Sequence, residues 1–179
     1  MSLVTLFRNR QTIYTGDMSD GRNEPEVVGN EPTDDMLLVD FLNTIDIDEG
    51  SDLLGTRAGL QEWANSHGVR PGDLEEARTT RDALRALVTG GRPTLPAVSL
   101  TPSCTGDGVV LRRDTAAEAA LAAAVILSIQ GRISRVKLCQ SDTCRYAYYD
   151  RSRNGSRAWC SMEVCGNRAK ARSFRSRQA

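Results

Sequence analysis

Aromatic residues are scarce in this chain of 179 residues, at 5%. Lysine is nearly absent, with two (Lys137 and Lys170) beside 21 Arg. A core must therefore be built from Leu, Val, Ile and Ala. Long apolar runs are also missing. The longest, Ala119–Leu127, has nine residues, far short of the roughly 20 that a membrane-spanning helix needs. The first ten residues have no sustained apolar stretch, so they do not read as a secretory signal. With one histidine, His67, there is no paired-histidine metal motif, and no glycine-rich phosphate loop occurs. A cytoplasmic protein without a membrane span is the expectation. Hydrophobic residues at 40% and charged residues at 26% suit a folded globule.

Twenty-three basic residues balance 23 acidic ones, yet they are not evenly spread. Residues 135–179 hold eleven basic and three acidic side chains, and residues 1–134 hold twelve and twenty. An acidic body carrying a basic head suggests an anionic partner for the head. The preference for Arg carries no such information, because it runs through the whole chain.

Residues 1–32 are polar and lack periodicity, which predicts a mobile lead-in with at most a short strand at 12–15 or 27–28. Helical patterning then predicts helices from Thr33 or Asp34 to Ile45, from Thr56 to His67 and from Pro71 to Thr89. Ala97–Thr101 and Val109–Arg112 read as a β-hairpin. Thr115-Ala-Ala-Glu118 matches a capping box and opens a helix to Gln130 that is apolar nearly all round, hence central. Residues 33–134 thus form one α+β domain, mainly helical with a short hairpin.

The most specific signal follows. Cys139-x4-Cys144 and Cys160-x4-Cys165 are separated by fifteen residues. Two close pairs joined by a short connector are what a four-thiolate tetrahedral metal site needs. The connector carries Tyr146, Tyr148 and Tyr149, then Asn154-Gly155, a strong hairpin turn signal, with 156–159 as the returning strand. Ser161–Arg177 reads as a helix. Knuckle, hairpin and helix in this order describe a treble-clef finger, residues 135–179, which is too small to bury a sufficient core without a metal. One structural zinc ion is the expected cofactor. Two disulfides conflict with the absence of export, and iron–sulfur spacings differ.

Asp150-Arg-Ser-Arg-Asn-Gly-Ser-Arg-Ala-Trp-Cys160 and Cys165-Gly-Asn-Arg168, with the cysteine spacing, resemble the CGNR zinc-finger family across about 137–177. Val39-Asp-Phe-Leu-Asn-Thr44, Leu53-Leu54, Arg57-Ala-Gly-Leu60, Trp63 and the Arg81–Leu87 region are similar to the ABATE domain that precedes this finger. The resemblance implies an α+β domain, a treble clef and a stress-induced transcription regulator that binds DNA.

On a helix over Ser161–Arg177, Arg168, Arg172 and Arg175 share a stripe about 60° wide, with Phe174 turned inward. Arg151, Arg153 and Arg157 flank the connector turn and add candidate phosphate contacts. For Arg168 the competing reading is an ion pair with Asp150. Double-stranded DNA is therefore the expected partner, with a homodimer supplying enough contact. A small-molecule effector beside the 116–130 helix is compatible with this. The alternative is a protein–protein docking module built on the finger. No enzyme is expected: Cys104, in a turn, is the odd cysteine, and a Cys104–His67 pair lacks a third orienting group.

Overall fold

The computed structural model describes residues 33–177. The short strands expected at 12–15 and 27–28 lie outside them. Among the described residues, five α-helices and three two-stranded antiparallel sheets make an α+β fold.

Helix α1 (Asp34–Leu42) has Asp34 and Asp35 in its first turn and buries Leu37, Leu38, Phe41 and Leu42. It stops short of Ile45 because that residue pairs with Asp52 in the small sheet of β1 (Ile45–Asp46) and β2 (Ser51–Asp52). The Thr56 side chain accepts from Gly59 N and caps α2 (Arg57–Ser66). Gly59 is required by close approach, since a Cβ there would lie 1.9 Å from the Leu53 carbonyl oxygen. Helix α3 (Leu74–Val88) begins later than Pro71. Asp73 caps it by accepting from Glu76 N at 2.9 Å, and Gly72, at φ +75°, forms the preceding turn.

The hairpin is displaced from its expected register. Strand β3 is Pro102–Thr105, paired with β4 (Gly108–Leu111). Val98 and Leu100, expected in the first strand, instead cover the core as irregular chain. Burying two branched side chains outweighs extending an exposed two-stranded ladder.

Helix α4 (Ala116–Ile129) is the axis of the fold. Thr115 Oγ1 accepts from Glu118 N, and Glu118 reaches back to Asp114 N at 3.0 Å, a slightly shifted capping box. Its alanines are small enough for α1, α2 and α3 to pack closely around it, and Ala116, Ala119, Ala120, Ala122 and Ala123 are wholly buried. Burial is not complete: Val125 and Ile126 are half-buried and Ile129 is 81% exposed, because the last turn runs past the surrounding helices.

Strands β5 (Val136–Leu138) and β6 (Ala147–Tyr149) pair antiparallel, Val136 opposite Tyr149 and Leu138 opposite Ala147. Val136, Leu138 and Ala147 join the same apolar cluster as Leu38, Phe41 and Leu127. The core therefore runs without a break from the helical body into the cysteine-rich segment. Helix α5 (Asn167–Ser176) ends the described chain and contributes no buried residue.

Candidate metal centre

The first cysteine pair sits at the turn of the β5–β6 hairpin. Cys139 N donates to Tyr146 O at 2.8 Å, and Cys144 N and Arg145 N both donate to Ser141 O at 3.0 Å. The chain thereby folds back so that both thiols face one side. The hairpin turn is this knuckle, which corrects the expectation placed on Asn154-Gly155. Those residues form a loop turn, with Gly155 at φ +59°, and 156–159 is not a strand. The tyrosine strand finds its partner upstream, where Val136 and Leu138 can share its buried face.

Of the second pair, Cys160 precedes and Cys165 lies within a wide helical turn, Met162–Gly166, in which Gly166 N donates to Ser161 O at 3.0 Å. The helix expected over Ser161–Arg177 is thus divided. The wide turn swings Cys165 back towards Cys160, and regular α-helix begins only at Asn167.

All four sulfurs lie within 4.8 Å of one another. Cys144 Sγ is 3.7 Å from Cys160 Sγ, which is 3.8 Å from Cys165 Sγ. Zn–S bonds of about 2.3 Å at tetrahedral angles put ligand sulfurs about 3.8 Å apart. A disulfide needs about 2.05 Å, and these cysteines are free thiols. Burial pushes the Cys165 thiol up to about 11 and raises Cys160 further, the latter also through the neighbouring Cys144 and Cys139 sulfurs. At Cys139, burial is outweighed by hydrogen bonds from the backbone at Cys160 and Ser141, so its thiol is lowered. Crowded thiols of this kind become thiolates when a divalent cation supplies the compensating charge. Cys139, Cys144, Cys160 and Cys165 can hold one zinc ion, and with four protein ligands its work is structural.

Around the cluster, four of the eleven cations of the basic head (Arg135, Lys137, Arg151 and Arg157) are engaged within the fold. Asp150 is fully buried. It accepts from Lys137 Nζ at 2.7 Å, Ser152 Oγ at 2.6 Å, Ser152 N at 3.0 Å and Arg157 N at 2.9 Å. Burial opposes its charge, but these donors win and hold its carboxyl well below the usual range. Its ionic partner is Lys137, which also donates to Gly155 O and Arg157 O. The competing reading of Arg168, an ion pair with Asp150, is therefore corrected: the carboxylate is saturated by Lys137, Ser152 and Arg157 N. Arg135 donates to the carbonyls of Asp150, Ser152 and Arg153. The Arg157 guanidinium donates to Cys160 O at 2.7 Å and lies over the Tyr148 ring. Burial and the Asp150 charge push Tyr148 up to about 12, so it remains a donor to Arg157 O at 2.7 Å.

The helical body grips the hairpin through residues that periodicity alone did not single out. Asn43, the C-cap of α1, donates to Ala147 O at 2.9 Å and accepts from Ala147 N at 2.7 Å, standing in for a missing strand. Arg85 of α3 donates to Leu42 O at 2.6 Å and Arg145 O at 2.8 Å. Both residues lie within the stretches that resembled the ABATE domain. Arg151, a candidate phosphate contact, pairs instead with Asp35 of α1 at 2.6 Å and lies over the Tyr149 ring.

Of the six candidate arginines, Arg151 and Arg157 are thus engaged within the chain. The guanidinium groups of Arg153, Arg168, Arg172 and Arg175 are exposed and have no acidic or carbonyl partner among the described residues. Phe174, expected to pack inward, is 57% exposed, because α5 packs mainly on the wide turn before it. His67 caps the end of α2. Its Nδ1 lies 2.9 Å from Trp63 O, and its Nε2 lies 3.3 Å from Asp40. No helix among the described residues is long and apolar enough to cross a membrane.

A knuckle in a hairpin, a second thiol pair and a helix leaving it define the class: a treble-clef zinc finger fused to an α+β domain. Two family models match in that order. The ABATE family, described as "Putative stress-induced transcription regulator", covers residues 35–129, and the CGNR zinc finger covers residues 135–178. The chain belongs to the ABATE family and carries the CGNR finger. Among curated proteins, a search finds no match.

Proposed function

We propose that this protein is a cytoplasmic DNA-binding transcription regulator that does no covalent chemistry, in which zinc holds α5 rigid and α5 meets duplex DNA. The observation that carries this reading is the fate of the cations. Arg81, Arg113, Lys137 and Arg151 each have a carboxylate partner within the fold. Arg168, Arg172 and Arg175 share one stripe of a helix about 15 Å long and meet no carboxylate among the described residues. A row of uncompensated guanidinium groups on a projecting helix suits phosphates and the acceptor edges of a groove. Arg153 lies outside the helix and is suited to one further backbone contact.

One such helix reads few base pairs, so selective binding calls for two copies on a two-fold site. The test is titration of zinc-loaded protein against duplex DNA at several salt concentrations. Contacts to three or four phosphates give a slope of about −3 in log K against log salt. No detectable binding at low salt overturns the reading.

The exposure of Phe174 and Met162 at the finger favours a second reading, a docking surface for an acidic protein. Preference of the zinc-loaded chain for such a partner over DNA at moderate salt distinguishes the two.

A further inference from the structure

A groove of about 660 Å³ opens where the C-terminal end of α3 meets the zinc finger. Leu87, Val88 and Ile133 give it an apolar wall, and Tyr148, Arg157 and Arg145 come from the finger side. Its size and its position at the seam of the helical body and the finger suit a small-molecule site. None of its lining residues is acidic.

Arg145 is the telling residue. It follows the zinc-ligand position Cys144 and sits at φ +51°, the sole non-glycine residue with a positive φ among those described. Glycine adopts this conformation at least cost. The backbone alone supplies what the knuckle needs: Arg145 N donates to Ser141 O, and Arg145 O accepts from Arg85. The half-buried side chain, by contrast, has no hydrogen-bond or ion-pair partner among the described residues, although it lines the groove. A strained backbone position occupied by a long cationic side chain that braces nothing is a mark of a ligand clamp.

The charge around it is also unanswered. Lys137 is neutralised by Asp150, but the Arg157 guanidinium donates only to carbonyls, and so does that of Arg85 nearby. Burial, followed by the charges of Arg81 and Arg145, holds Arg85 below its ordinary value.

We propose that this groove binds a small organic anion, a carboxylate or phosphate on an apolar body. Arg145 pairs with the anionic group, and Leu87, Val88 and Ile133 cover the apolar part. This places an effector site at the junction with the finger, away from the α4 surface where the sequence suggested one. Because Arg145 adjoins a zinc ligand and is tied to α3 through Arg85, an occupant touches both the helical body and the knuckle.

The probe is 1-anilinonaphthalene-8-sulfonate, an aryl sulfonate, titrated into the full zinc-loaded chain without DNA. Saturable binding is expected, displaced by phenyl phosphate and benzoate and not by benzyl alcohol. Arg145→Gly, in which glycine accepts φ +51° and the backbone bonds remain, is expected to weaken binding about tenfold while zinc content and melting temperature hold. Leu87→Glu, at an exposed helix position, supplies a rival carboxylate at the groove mouth and is expected to weaken it similarly. The proposal is overturned if no saturable binding occurs, if benzyl alcohol competes equally, or if both variants bind like the parent. Displacement of the probe by a short DNA duplex also overturns it, by assigning the groove to nucleic-acid phosphate. All but the duplex competition are read without DNA and do not depend on whether α5 binds it.

Discussion

Four cations before Cys160 and three arginines after Cys165 come from one basic segment, yet the fold uses them oppositely. Arg135, Lys137, Arg151 and Arg157 hold loop carbonyls, a buried carboxylate and helix α1. Arg168, Arg172 and Arg175 hold nothing among the described residues and stand on an exposed helix. The difference lies in their surroundings. The 135–157 stretch folds into a hairpin whose apolar side completes the core, so its loop carbonyls are half-buried and need donors. Helix α5 satisfies its own backbone and leaves its side chains free for a partner. Charge clustering in a sequence therefore overstates a binding surface by the number of cations the fold consumes.

Breaking the metal centre should affect both sets at once. Cys165→Ser, or chelation of the parent, should remove zinc worth on the order of 10 kcal/mol of apparent folding free energy. Since Val136, Leu138 and Ala147 are core residues, the helical body should lose melting temperature with the finger, rather than unfolding separately. Calorimetry with metal analysis checks this, and an unchanged main transition would show the two to be independent.

Asp150→Ala tests the inward set alone. Lys137 would be left half-buried without its carboxylate, at a cost of about 3–5 kcal/mol in urea unfolding. The outward set should behave conversely. Reversing Arg168, Arg172 and Arg175 to Glu should weaken DNA binding at least about 100-fold, or about 2.7 kcal/mol. Zinc content and melting temperature should be retained. If that triple variant destabilises the protein, the contrast between the sets fails.

Asn43→Ala removes both bonds to Ala147 and should cost about 1–3 kcal/mol, measured by the same unfolding curves. It should loosen the knuckle without touching a ligand. The smallest effect belongs to His67. Burial lowers its pKa, but the Asp40 carboxylate and the Trp63 carbonyl outweigh this and raise it above 6.5. A raised folded-state value gives stability that is full below the unfolded pKa and lost as pH rises through the folded one. Asp40→Asn should therefore lower the melting temperature at about pH 5.5 and leave it unchanged at about pH 8.5. Asp40 is largely exposed, so the loss should stay under about 1 kcal/mol.

Periodicity located α1 to α4 to within a few residues, because their apolar patterning, and for α2 to α4 a side-chain cap, lie within their own segments. The thiol set was equally legible, since ligand spacing is local. Strand pairing was not. Asn154-Gly155 has the composition of a hairpin turn, but the tyrosine strand pairs upstream, where Val136 and Leu138 can join the core. Nor was the fate of Arg151, whose partner Asp35 lies 116 residues away.

The sequence alone determined the rough placement of α1 to α4, which four sulfurs converge, and that the C-terminal segment carries excess positive charge. These rest on interactions within a few residues. Tertiary structure alone decided which cations remain available, that Asn43 and Arg85 clamp the knuckle, and that Arg145 faces a groove with nothing to hold. Such pairings depend on which surfaces the core brings together, and no local spacing encodes them.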